Sequence, residues 1–173
     1  RSTILAAGAA LALVGQPALA APRSIEMAVR GPDGPLAGTL LLAEAPDAPV
    51  VLILPGSGPT DRDGNSPAGV TAASYRLLAE ALAEHGLSSA RTDKRGVGGS
   101  KDAAANPNNV TIADYAADTA NWVQAVKDKT GRDCVWLAGH SEGGLIALAS
   151  AYSPDICGLV LIAAPGRPLD VVL

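Results

Sequence analysis

The chain is 173 residues long with a formal net charge of −4, and 48% of its residues are hydrophobic against 17% charged. That length fits one globular domain, and no basic cluster is dense enough to suggest a nucleic-acid surface. Aromatic residues make up only 3%, with no Phe, so the core has to be filled by Ala, Val, Leu and Ile. Arg1 precedes an apolar run over residues 4–14, followed by Gly15-Gln16-Pro17 and the small-x-small triplet Ala18-Leu19-Ala20. A basic start, a short apolar core and a small-residue cleavage site predict a secretory signal at residues 1–20, and hence export to a periplasmic or extracellular space. The run is too short for a stable membrane span, which takes about 20 apolar residues.

Residues 25–30 and 36–43 read as two strands of an antiparallel hairpin around the turn-forming Gly31-Pro32-Asp33-Gly34-Pro35. Val50-Val51-Leu52-Ile53-Leu54 is apolar at every position, as expected of a strand covered on both faces. A long loop follows over residues 55–69, opening Pro55-Gly56-Ser57-Gly58 at the carboxyl end of that strand, where open α/β sheets place their ligands. The glycines predict backbone N–H groups left bare there. A phosphate-cradling loop would end in G-K-[ST], which is absent, so nucleotide binding is discounted.

A helix is predicted over 74–84, with Tyr75, Leu78 and Leu82 on one face and Gly86 as its stop. A short strand over 87–92 then runs into a second glycine-rich turn, Asp93-Lys94-Arg95-Gly96-Val97-Gly98-Gly99-Ser100, read as structural. Thr111 is a cap for a helix whose buried stripe includes Ile112, Tyr115, Trp122, Val123 and Val126. A strand over 133–139, a helix over 143–152 and a strand over 158–163 complete the series. Strand–helix alternation with short connections predicts a mostly parallel sheet with helices on both faces. Cys134 and Cys157 each stand just before an apolar run, residues 135–139 and 158–163. Two buried thiols are the expectation, because disulfide geometry is strict; an exported chain would permit a bond.

The last strand-helix junction carries Gly139-His140-Ser141-Glu142-Gly143. G-x-S-x-G is weak as a bare pattern. Between an apolar strand and an Ala/Leu-rich helix it predicts a sharp turn with Ser141 at its apex, and the first amides of the helix lie directly behind it.

On these residues the chain resembles the first half of an α/β-hydrolase. The match rests on the glycine loop at 55–58, the Asp93…Arg95-Gly96…Gly98…Ser100 turn, the elbow at 139–143 and the hairpin-then-parallel strand order. More narrowly, Gly56-Ser57-Gly58-Pro59-Thr60-Asp61-Arg62-Asp63-Gly64-Asn65 resembles bacterial carboxylesterases of the serine-aminopeptidase-like branch. The resemblance implies residues 21–173 as the N-terminal portion of an α/β-hydrolase catalytic domain, truncated after about the sixth strand. It implies Ser141 as the nucleophile toward a small-molecule ester or acyl substrate. The backbone N–H groups of Glu142 and Ser57 would bind the oxyanion, with Gly58 the alternative to Ser57. No cofactor or metal is called for. A peptidase, a thioesterase, or a non-catalytic binding protein on the same scaffold are the other readings. A dehalogenase is excluded, since its nucleophile would be a carboxylate at position 141.

A base is missing from this set. His140 adjoins Ser141 on a tight turn and points elsewhere, while His85 ends a helix at the opposite edge of the sheet. The family's order is Ser, then acid, then His, so both partners are expected beyond residue 173. Asp170 would be the acid only in a minority arrangement. The 173-residue chain by itself is therefore expected to lack triad-level turnover.

Overall fold

The computed structural model describes residues 22–167. The expected signal at 1–20 and Asp170 lie outside the described residues. Strands β1 (Arg23–Arg30), β2 (Pro35–Leu42), β3 (Val50–Leu54), β4 (Ser88–Thr92), β5 (Val135–His140) and β6 (Ile156–Ile162) form one sheet in the order β1-β2-β4-β3-β5-β6. β1, β2 and β4 pair antiparallel in succession, and β4, β3, β5 and β6 run parallel. The hairpin and the parallel sheet are those the sequence predicts, with strand and helix ends moved by one or two residues.

Helix α1 (Ser74–Glu84) covers one face, where Tyr75 and Ala79 pack on Val51, Ile53 and Ala138. Helices α2 (Ile112–Thr130) and α3 (Glu142–Ser150) cover the other, where Trp122, Val123, Val126 and Ile146 pack on Leu52, Leu54 and Leu137. β3 accordingly alternates its side chains between two apolar layers and is buried at all five positions. α2 starts as its sequence says it should. The Thr111 hydroxyl accepts the Asp114 N–H at 3.2 Å, and the Asp114 carboxylate accepts the Thr111 N–H at 2.9 Å. The Thr111 hydroxyl, which donates to the Asp114 carboxylate at 2.6 Å, and then the Thr111 N–H hold that carboxyl below the usual range for an aspartate.

The order of strands sets the position of the site. From β3 the chain crosses α1 to β4 on one side; from β4 it crosses α2 to β5 on the other. Loops leaving β3 and β5 therefore diverge at the carboxyl edge of the sheet and leave a crevice between them, the usual ligand position in open α/β sheets. The first glycine loop and the serine turn are those two loops.

The cysteines correct the sequence expectation. Cys134 and Cys157 form a disulfide, with their Cα atoms 5.2 Å apart. β6 begins at Ile156 rather than 158, so Cys157 lies inside the strand, and the pairing of Val135 with Ile156 brings it beside Cys134. Adjacent parallel strands with both cysteines at their amino ends satisfy the spacing that the sequence alone leaves undecided. The bond closes a loop of sequence separation 23 around α3. On the chain-entropy account such a loop contributes about 3 kcal/mol. Replacing both cysteines by serine is expected to lower unfolding free energy by about that amount in urea titrations, and a reductant is expected to reproduce the shift.

Candidate active site

Ser141 stands between β5 and α3 with φ 53° and ψ −119°. A side chain at that φ is crowded by its own backbone, so the conformation is strained for any residue but glycine. The strain is held from both sides. The Ser141 N–H donates to the Ile162 carbonyl at 2.9 Å, and the Ser141 carbonyl accepts the Gly144 N–H at 2.9 Å. The hydroxyl does not cap the helix and is left for other work. Glu142 opens α3, so its N–H has no preceding turn to bond and points out of the helix's positive end.

The elbow's glycines are required by contact. A Cβ on Gly139 would lie 2.2 Å from the Gly143 carbonyl oxygen, and one on Gly143 would lie 2.2 Å from that of Leu54. The first glycine loop passes equally close. A Cβ on Gly56 would come within 3.3 Å of the Ser141 Cβ and 3.1 Å of His140 Nδ1. The two loops expected to form one site are therefore in contact at Ser141.

That contact has a fastener the sequence reading missed. The Tyr75 hydroxyl accepts the Gly56 N–H at 3.0 Å and lies 2.8 Å from His140 Nδ1. Burial holds the Tyr75 phenol above its usual value, so at neutral pH it keeps its proton. One hydroxyl thus joins α1, the glycine loop and the elbow. One expectation changes as a result, and the exclusion of His140 as base gains a partner for its ring. The Gly56 N–H is not bare but taken, whereas the N–H groups of Ser57 and Gly58 have no hydrogen-bond partner among the described residues. His140 is committed through Nδ1 to Tyr75, which removes that nitrogen as a base. Tyr75→Phe is expected to leave the buried Gly56 N–H unpaired and cost about 1–2 kcal/mol in urea unfolding.

The remaining sequence-predicted residues fall as follows. Ser57 is exposed and follows Gly56 directly at the rim of the crevice. His85 caps α1, its Nδ1 2.8 Å from the Ala81 carbonyl, and takes no part in the crevice. Asp93 is 3% exposed and ties the loops together. Its carboxylate accepts the Arg62 N–H at 2.7 Å and the Gly99 N–H at 2.8 Å, and the Arg62 Nε lies 3.4 Å away. The Ser100 hydroxyl donates to the Asp93 carbonyl at 3.1 Å and accepts the Ala37 N–H at 2.8 Å. Asp93 and Ser100 thus tie the second turn to its neighbours, the structural part that its sequence suggests.

The stretch Asp61-Arg62-Asp63-Gly64-Asn65 folds on itself. Asp61 accepts the N–H groups of Asp63 and Asn65 at 2.9 and 2.8 Å, and the Asp63 carbonyl accepts the Tyr75 N–H at 3.1 Å. Residues 61–65 thereby set the start of α1, and with it the position of Tyr75. A groove of about 420 Å³ opens beside the elbow, lined among others by Gly58, Pro59, Lys94, Val110, Tyr115 and Glu142.

Residues 68–169 match the family described as Serine aminopeptidase, S33. The chain belongs to that family of α/β-hydrolases. It is 28% identical over 127 residues to esterase EstD of Thermotoga maritima, a match covering 72% of this chain and 29% of that protein. An α/β serine hydrolase without a lid from Xanthomonas campestris superposes with a TM-score of 0.63 at 28% identity, covering 84% of this chain and 63% of that one. An α/β-hydrolase from Penicillium sp. sh18 superposes with a TM-score of 0.67 at 20% identity, over 82% of this chain and 46% of that one, and shares the fold. The chain thus spans less than two thirds of the length of each of these relatives. Within the family frame, the crevice between the β3 loop and the β5 elbow is the candidate active site. Among the described residues no helix is long and apolar enough to cross a membrane.

Proposed function

We propose that this chain is the nucleophile-bearing portion of an exported serine hydrolase that cleaves small carboxylic esters through an acyl-enzyme on Ser141. The observation that carries the proposal is the strained backbone of Ser141, φ 53°, at a strand-to-helix turn pressed against a glycine loop. Strain of this kind persists where the surrounding structure imposes it, and it clusters at reacting groups.

In the proposed reaction the Ser141 Oγ attacks the ester carbonyl as a base removes its proton. The oxyanion is held by the N–H groups of Glu142 and of Ser57, with Gly58 as the neighbouring donor. Collapse breaks the acyl C–O bond, and the alcohol leaves with the proton returned by the base. Water then attacks the acyl carbonyl and releases the acid and the free Ser141 hydroxyl. Neither His85 nor His140 suits the role of base, and we assign that role and the acid's to residues beyond position 173. The coverage of the relatives is compatible with this, since each is longer than the matched region. Export is supported by the signal-like start and by the Cys134–Cys157 bond, which persists in oxidising compartments.

The family description favours a second reading, release of N-terminal residues from peptides on the same serine. The full-length gene product assayed against p-nitrophenyl butyrate and against aminoacyl p-nitroanilides separates the two. Faster turnover of the butyrate, lost in Ser141→Ala, is expected; preference for the anilides would make the chain a peptidase. Turnover that survives Ser141→Ala would remove both.

A further inference from the structure

Lys94 has a place in the site that neither the turn it belongs to nor the role of Ser141 accounts for. It is only 8% exposed, and its Nζ lies 2.9 Å from Glu142 Oε2 and 5.2 Å from the centroid of the Tyr115 ring. Lysine is seldom this buried unless paired, and a buried pair is poor currency for stability because desolvation offsets its attraction. The partner is the informative part. Glu142 is the residue whose N–H the proposed reaction uses, and its side chain lines the groove beside the elbow together with Gly58. An anion beside a developing oxyanion raises the barrier to forming it, more steeply in a water-poor crevice than in solvent.

We propose that Lys94 is a positioning residue for the ester chemistry: it neutralises the Glu142 carboxylate and holds it away from the oxyanion, so that the helix's first amide acts alone. The proposal rests on Ser141 being the nucleophile. Three features favour it. Lys94 rises from a turn whose preceding residue, Asp93, is clamped by Arg62 and Gly99, so the base of the side chain is fixed. The ammonium is flanked by the Tyr115 ring, a face that attracts cations and leaves the carboxylate as its one charged hydrogen-bond partner among the described residues. Both charged groups line the groove that opens beside the elbow, together with Gly58 of the glycine loop. The second glycine turn therefore acts on the chemistry at one remove, without touching substrate.

The test measures kcat and KM of the full-length gene product on p-nitrophenyl butyrate for wild type, Lys94→Met, Lys94→Arg and the double variant Lys94→Met with Glu142→Gln. Lys94→Met exposes the oxyanion to an unpaired carboxylate and is expected to lower kcat about 30-fold with KM changed less than about threefold. Lys94→Arg keeps the charge and is expected to retain roughly a third of the rate or more. Removing both charges is expected to recover at least about tenfold of what Lys94→Met loses. A double variant as slow as Lys94→Met would overturn the proposal, as would a loss that falls on KM or tracks the melting temperature. Where Lys94→Met does not fold, Lys94→Gln, which removes the charge but stays polar, carries the same predictions. Failure of the nucleophile reading shows separately, as wild-type turnover that Ser141→Ala leaves intact.

Discussion

Ser141→Ala in the full-length gene product is expected to lower ester turnover by at least about 10⁴-fold while leaving the melting temperature nearly unchanged. The second half of that expectation is the more specific. An alanine keeps the Cβ that makes φ 53° unfavourable, so it inherits the strain along with the lost hydroxyl. Ser141→Gly removes the Cβ as well, and should therefore abolish turnover and stabilise the fold by roughly 1–2 kcal/mol. The contrast between the two variants, in activity and in urea unfolding, measures the energy held in the elbow. Equal stability for alanine and glycine at this position would mean that the turn stores none.

Gly143→Ala is expected to cost more than about 4 kcal/mol and to leave little soluble protein at 37 °C. The added Cβ would meet the Leu54 carbonyl oxygen at 2.2 Å, the Leu54 carbonyl carbon at 2.8 Å and the Pro55 carbonyl oxygen at 2.8 Å. All three are backbone atoms at the end of a strand buried at every position, so no side chain can swing aside. Helix α3 would have to lift off β3, and Ser141 would move away from the glycine loop with it. Expression yield and circular dichroism of the variant check this. The neighbouring Gly144 offers a milder comparison, since its nearest contact is the Ala164 methyl, 2.4 Å from the added atom. A Gly143→Ala protein of native stability would mean that β3 and α3 are further apart than described.

The parts of this fold legible in the sequence are those set by local pattern. Val50–Leu54 announces a doubly covered strand by having no polar position, and Thr111 with Asp114 announces a helix start. Ser141 could be placed at an apex because a strand pattern stops and a helix pattern starts around it. What escaped depends on which distant elements meet. Tyr75 reads as one more apolar residue on a helix face, and only the sheet order brings its hydroxyl to Gly56 and His140. Lys94 reads as a turn residue until Glu142, 48 positions later, is found against it. The disulfide turned on the register of β5 against β6 and on a strand start two residues earlier than the apolar run suggests. Residues 61–65 lie between these cases. Their sequence is distinctive enough to point to a family, yet its physical content is a local fold of side chains around Asp61 that fixes where α1 begins.

The most direct test is covalent. A fluorophosphonate probe reacts with a serine oxygen only where that oxygen is nucleophilic and an oxyanion is supported. Treatment of the full-length gene product, followed by peptide mass spectrometry, is predicted to give one adduct per chain, on Ser141, and none in Ser141→Ala. A modified residue elsewhere, or an unmodified Ser141 in protein that turns over esters, would contradict the account.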